Sequence, residues 1–257
     1  MSDPDFEQWQ VILVAVSALF AGGFVKGAIG FGLPLVVTPI LIIFFPLPQV
    51  ISLIFLSVLV SNIQQIWLTR KVFAVFGKIS GLVITNAIVL VSVSGVLVSL
   101  DGNAIRLLIG VLIIVHVLVA DRSVKYRIPA GKEVLLGASV GGVSGLLGSV
   151  TSIFAFPSIQ FLYTLRLTSD QFVFASGCLM ISGFTSIWLG ISLGGFPVGS
   201  QLEGSLYAII PTVIGMLLGN RARQRLSFQR FRVLIKFLLG MIGINLIIQG
   251  VRHFLLV

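Results

Sequence analysis

Apolar residues run along this chain in long unbroken stretches, and the polar residues gather in short clusters between them. Neither the alternation of a half-buried strand nor the single stripe of a soluble helix is present, so the stretches read as buried or membrane-spanning helices. A bilayer-crossing helix takes about 20 apolar residues. Runs 79–99, 104–120, 204–219 and 233–251 are ordinary spans, and 48–68 and 170–190 are two more. Two regions remain, 10–45 and 134–165, each too long for one straight helix and each interrupted midway by small residues. The interruptions fall at Lys26–Gly32 and Ser144–Ser152. The pieces beyond them, 31–45 and 152–165, reach about 21–23 Å at a rise of 1.5 Å per residue, short of the roughly 30 Å hydrocarbon core. Each interrupted region is either a re-entrant hairpin or a pair of tilted, broken spans. The pattern predicts an all-α polytopic membrane protein of about ten helical segments.

The pattern also repeats. "GGFVKGAIGFGLPLVVTP" (22–39) lies beside "VGGVSGLLGSVTSIFAFP" (140–157), with Gly23, Gly27, Gly30 and Pro39 matching Gly141, Gly145, Gly148 and Pro157 at a constant spacing of 118. "SNIQQIWL" (61–68) then matches "SGFTSIWL" (182–189) at 121, which places a small insertion near "LYTLRL". "RLLIG" (106–110) resembles "KFLLG" (236–240). Two blocks in the same order indicate duplication, with repeat one over about 10–120 and repeat two over about 134–254. No hydrophilic stretch is long enough to fold separately, so a single transmembrane domain is expected.

Composition agrees with the pattern: of 257 residues 57% are hydrophobic and 10% charged. Charge adds orientation. A net charge of +9 raises nucleic acid as a partner, and position excludes it, because fourteen of the 17 Lys and Arg flank apolar runs. Such residues mark the cytoplasmic side. The loop after Trp67 carries Arg70, Lys71 and Lys78 and is inside; its match after Trp188, "GGFPVGSQLEG", is acidic and outside. The order reverses at the next pair, with "LDGN" (100–103) outside and "NRARQRLSFQRFR" (220–232) inside. The repeats are therefore expected to have inverted topology, with both termini outside. The N-terminus, "MSDPDFEQWQ", lacks the positive region of a signal peptide, and its apolar run continues past Lys26, so no cleavage is expected. The single cysteine, Cys178, excludes an intrachain disulfide and reads as a small buried apolar residue.

Candidate chemistry follows from the breaks. Non-helical backbone at membrane depth survives only when buried in protein or lining a polar cavity. Inverted-repeat transporters place their sites near the midplane where the repeats meet. Pro34 suits the first turn of a restarting helix, and Ser149, Thr151 and Ser152 could cap the second restart. A helix restarting there aims free N–H groups and a partial positive charge at an anion. Lys26 adds a full charge. The expected substrate site comprises Lys26, Gly27, Gly30, Phe31 and Gly32 from the first break and Gly148, Ser149, Thr151 and Ser152 from the second. Asn62, Gln65 and Thr185, polar residues in otherwise apolar runs, are added as donors to oxyanion oxygens. Plainer readings stand beside these: Gly23/Gly27 and Gly141/Gly145 fit the small-xxx-small spacing of packed helices, Lys26 could snorkel to an interface, and the amides and hydroxyls could bond between helices. His116 reads as a structural donor, and Arg166 with Asp170 as a surface pair at i,i+4. No carboxylate lies inside a span, and the two histidines are far apart, which argues against an enzyme, a metal site or cation transport. No cofactor is expected. The lipid bilayer and a small anion are the partners, and a homodimer stays open.

The motifs "GGFVKGAIGFGLPLVVTPIL" and "GGVSGLLGSVTSIFAFPSIQFLY" resemble those of the sulfite exporter TauE/SafE family, also called the sulfonate uptake permease family. The resemblance covers the whole chain in its repeat organisation. At the second break "GLLGSVTS" departs from the family's more glycine-rich version by placing hydroxyl residues there. It implies movement of sulfur-containing oxyanions, such as sulfite, sulfoacetate or other organosulfonates, across a bacterial inner membrane. An anion channel, or a carrier of another small anion such as a carboxylate, is the alternative. An inside-negative potential contributes about 2.3 kcal/mol per charge per 100 mV, which favours export of an anion without a coupled ion.

Overall fold

The computed structural model describes residues 8–119, 128, 129, 131–223 and 228–256. Arg122, Lys125, Arg127 and Arg225, four of the residues that set the expected orientation, lie outside these. Among the described residues there are ten α-helices and no strand. They are α1 (Gln8–Ile29), α2 (Leu33–Leu41), α3 (Leu47–Leu68), α4 (Phe76–Val93), α5 (Gly102–Val119), α6 (Glu133–Thr151), α7 (Ala155–Thr164), α8 (Ser169–Leu193), α9 (Leu202–Arg223) and α10 (Phe228–Leu256). Six helical stretches are long and apolar enough to cross a bilayer, those containing α1, α3, α4, α6, α8 and α9. Local rules set several boundaries. Proline opens α2 and α3, where its missing N–H costs nothing. Thr168 and Gln171 form a reciprocal capping box at the start of α8. Arg166 precedes that helix with φ 49°, so it does not share a helical face with Asp170 and the expected i,i+4 pair is absent.

The breaks are narrower than expected. Helix α1 continues through Lys26 and Gly27 to Ile29, leaving only Gly30–Gly32 irregular, and α6 continues through Ser144 to Thr151. The preceding turns keep their backbone hydrogen bonds because the chain need only reverse at the tip. At Gly30 and Gly32, φ is 88° and 109°, values that a side chain would strain. Each short helix then folds back along its predecessor. Gly22 on α1 faces Leu33 and Val37 on α2. On α6, Gly148 faces Phe154, Ser144 Oγ accepts from Ser158 Oγ at 2.7 Å, and Gly137 faces Phe161 on α7. Of the two arrangements open from sequence, these are hairpins. Their returning arms span about 14 and 15 Å, half of the hydrocarbon thickness.

The long helices pack in pairs: α1 with α9, α4 with α6, α3 with α8 and α5 with α10. Lipid supplies no hydrophobic drive between helices, so close backbone approach through small residues does. A Cβ on Gly23 would strike the Thr212 carbonyl of α9, and one on Gly141 the Leu82 carbonyl of α4. Exchanging α1 with α6 and α9 with α4 carries the first pair onto the second. Helices α3 and α8 run antiparallel through the middle, with Gln65 beside Val173 at one end and Phe55 beside Trp188 at the other. Arg106 on α5 donates from Nε to the Ile42 carbonyl at 3.2 Å, supplying a partner to the open end of α2. The ends of α1 and α6, and the starts of α2 and α7 and of α3 and α8, each stand 122 residues apart. The glycine match at 118 is thus one helical turn out of step with the helix boundaries, and no insertion near Leu162–Leu167 is needed to relate the breaks.

Candidate functional site

Lys26 sits in the last turn of α1 and is 3% exposed. Its Nζ donates to Asn62 Oδ1 at 2.6 Å and to Gln65 Oε1 at 2.9 Å, both on α3. It is buried among helices rather than snorkelling. The two amides are fixed in turn. Asn62 Nδ2 donates to the Val58 carbonyl at 2.7 Å. Gln65 Nε2 reaches the carbonyls of Gly30 and Val173, each at 2.9 Å, and Ser176 Oγ at 3.3 Å. One glutamine therefore ties the tip of the first hairpin, α3 and α8 to the lysine. An ammonium has three donors, and these amides engage two. The described carboxylates, Asp101, Glu133, Asp170 and Glu203, stand at or beside the first turns of helices, away from the interior of any span. The cation is thus held by neutral dipoles, an arrangement that an anion completes.

The tips of both hairpins line one cavity of about 10 Å³, roughly the space one water needs. Phe31, Gly32, Pro34 and Leu35 come from the first break, Ser152, Ile153, Phe154 and Ala155 from the second, and Met180 and Phe184 from α8. No side chain caps the N-terminus of α2 or of α7. The first-turn amides of α2 lack side-chain acceptors and border the cavity, whereas α7 is broken at Phe156 (φ −102°, ψ 127°) and only its Ala155 reaches the cavity. Ser152 is 2% exposed, has φ 59°, and its Oγ has no hydrogen-bond partner. A non-glycine residue in the left-handed region costs free energy, and an unpaired buried hydroxyl costs more. Both costs fall on a residue facing the cavity.

The residues expected at the site divide. Lys26, Asn62, Gln65 and Gly30 are joined by hydrogen bonds, and Phe31, Gly32 and Ser152 line the cavity. Lys26 is not among the cavity-lining residues. The rest do other work. A Cβ on Gly27 would strike the Met216 carbonyl, so Gly27 seats α9. Gly148 lies beneath Phe154. Ser149 and Thr151 do not cap α7 itself: their hydroxyls donate to Gly145 and Leu147 one turn back, because α6 outlasts the expected break, although Thr151 Oγ1 also accepts from the Ile153 N–H at 3.2 Å within the break. Thr185 is half-buried and belongs to neither group. His116 Nδ1 meets Gln160 Nε2 at 3.2 Å, a link between α5 and α7. Asn86 bonds Ser144 Oγ at 2.8 Å and pins α4 to α6.

Sequence reasoning passed over Phe154, Met180 and Phe184. Apolar residues in an apolar run carry no signal of their own; only the glycines at 148 and 183 hint that a ring is close. Among the described residues no cluster of His, Cys, Asp or Glu could hold a metal. The arrangement can bind a small anion, through the uncapped start of α2, a hydroxyl without a partner and a nearby cation.

A family model described as "Sulfite exporter TauE/SafE" matches residues 14–246. No curated protein and no solved structure matches the chain.

Proposed function

The chain belongs to the sulfite exporter TauE/SafE family, a family of membrane transporters of sulfur anions such as sulfite, and from that premise we propose where its substrate binds and how it moves. The site is the cavity between the two hairpin tips, near the middle of the bilayer, and the substrate is a sulfur oxyanion such as sulfite or a small organosulfonate. The single observation that carries this reading is that both breaks, far apart in sequence, line one cavity, and that Ser152, whose Oγ has no partner, is among the lining residues. First-turn amides of α2 and the Ser152 hydroxyl donate to the oxyanion oxygens. Lys26 lies one turn behind the first tip and offsets the arriving charge at close range.

A cavity of about 10 Å³ does not hold a sulfite ion. On this reading transport requires the hairpins to part. Inverted repeats supply a route for this, since rocking one repeat against the other opens the same site to either side. The exchange of packing between α1–α9 and α6–α4, and the antiparallel α3–α8 pair, support that symmetry. With the basic loops cytoplasmic and both termini outside, a bacterial inner-membrane potential drives the anion outward with no coupled ion. No catalytic role is assigned to any residue.

Purified protein in liposomes, given sulfite, sulfate, sulfoacetate and a carboxylate in turn, tests the reading. Saturable sulfite or sulfonate flux with counterflow is expected. Flux that never saturates means a channel, and preference for the carboxylate means a different cargo. Orientation has its own test: cysteines placed at Ser123 and Ser227 should resist an impermeant reagent applied from outside the cell.

A further inference from the structure

The three Trp residues are placed very differently. Trp9 and Trp67 are 58% and 65% exposed, in keeping with rings that face lipid or the membrane interface. Trp188 is stacked on Phe55, with ring centroids 4.8 Å apart and planes 12° from parallel. Its Nε1–H is buried and has no hydrogen-bond partner. A buried Trp N–H ordinarily finds an acceptor, so this one is a donor with capacity to spare.

Its place in the fold says what. Along the antiparallel α3–α8 pair three features follow in order. Gln65 bonds Val173 and Ser176 at one end. Met180 and Phe184 border the cavity in the middle. Phe55 and Trp188 close the other end. Trp188 stands one turn beyond Phe184 on the same side of α8, in the direction away from the Lys26 cluster. By the loop charges, that end faces outside. A polar seal and an aromatic seal thus flank the cavity.

We propose that Trp188 is a second contact for the oxyanion, its indole N–H receiving an anion oxygen on the outer side of the cavity when the ring slides off Phe55. The proposal rests on the cavity being the transport site. An indole N–H donates and cannot accept, so it selects anions over cations without adding a fixed charge that would trap the cargo. The flat stack closes the path to ions while Trp188 faces Phe55. Phe55 has no aromatic counterpart at the other end, where Ser176 takes the matching place in α8 and bonds Gln65.

Two measurements with sulfite test this. Trp188→Phe keeps an aromatic ring for the stack and removes the N–H. It should raise the half-saturation for sulfite flux about tenfold, the size of one hydrogen bond to an anion, while the melting temperature stays close to that of the parent. The second needs no flux. In a protein carrying Trp9→Phe and Trp67→Phe, Trp188 is the only indole, and its emission should shift saturably over the sulfite concentrations that saturate transport. If that protein transports sulfite with no emission change, or if Trp188→Phe transports with unchanged half-saturation, Trp188 is a packing residue and the proposal falls alone. If the unmodified protein shows no saturable oxyanion flux, the transport reading falls and takes this with it. Should Trp188→Phe fail to fold, the emission measurement decides.

Discussion

At the first break a lysine reaches across to an asparagine; at the second a phenylalanine ring stands between two glycines. Counted from the helix ends the positions coincide. Lys26 and Gly148 each lie three residues before the end of the long helix, and Gly32 and Phe154 each immediately precede the short one. Asn62 and Gly183 each follow the serine that opens the matched motif in α3 and α8. In the first half the cation and its amide meet directly, and a Cβ on Gly32 would meet Val25 and Ile29. In the second half Phe154 packs on Gly148 and Gly183, both bare of side chains where Lys26 and Asn62 stand opposite. All three positions differ together. The difference teaches that the halves divide the labour: the first carries charge, while the second supplies a rigid wedge and a free hydroxyl.

The strongest way to break this comparison is to remove the wedge. Phe154→Ala empties the space between Gly148 and Gly183 and should cost about 3–5 kcal/mol, the range for a buried phenylalanine. Unfolding of the purified protein in detergent measures it. A loss below about 1 kcal/mol would mean that the ring holds nothing together, well outside that range.

Lys26→Met tests the other half. The variant keeps the apolar stem and loses the charge, so sulfite flux should fall at least about tenfold, because the arriving anion then meets no compensating charge. Asn62 and Gln65 lose a donor as well, so the melting temperature should drop. Lys26→Arg keeps the charge in a bulkier fork and should retain part of the flux. A lysine that served only to hold α1 on α3 would give a lower melting temperature with flux per folded molecule unchanged.

A smaller effect sharpens the wedge argument. Gly183→Ala places a methyl against the Phe154 ring and should destabilise by about 1–3 kcal/mol. Combined with Phe154→Ala, the same change should cost little, because its obstacle is gone. If the two losses simply add, ring and glycine are not coupled.

The smallest effect has opposite signs in two assays. Ser152→Gly relieves a left-handed φ of 59° and removes an unpartnered hydroxyl, so stability should rise by about 1 kcal/mol. The affinity for sulfite should fall about tenfold, since a hydrogen bond to a charged group is worth about 1.5–3 kcal/mol. A gain in stability with unchanged affinity would place Ser152 outside the site.

The amino-acid sequence by itself determined the helical membrane class, ten helical segments and the region of both breaks. These depend on local quantities: the length of apolar runs, Pro34 at a helix start, and Gly30 and Gly32 where the chain must turn. It also pointed to Lys26, since a charge in an apolar run is visible without a partner. Only the tertiary structure decided the rest. Gly27 and Gly30 look alike in sequence; one seats α9 and the other gives its carbonyl to Gln65, because a glycine records that space is needed without saying who needs it. Ser149 and Ser152 likewise differ only in whether α6 has ended. The ring that enters beside Gly148 needs Gly183, some thirty-five residues later in the chain, to leave it room. A contact across that distance is fixed by the packing of α6, α7 and α8 together, and no local propensity contains it.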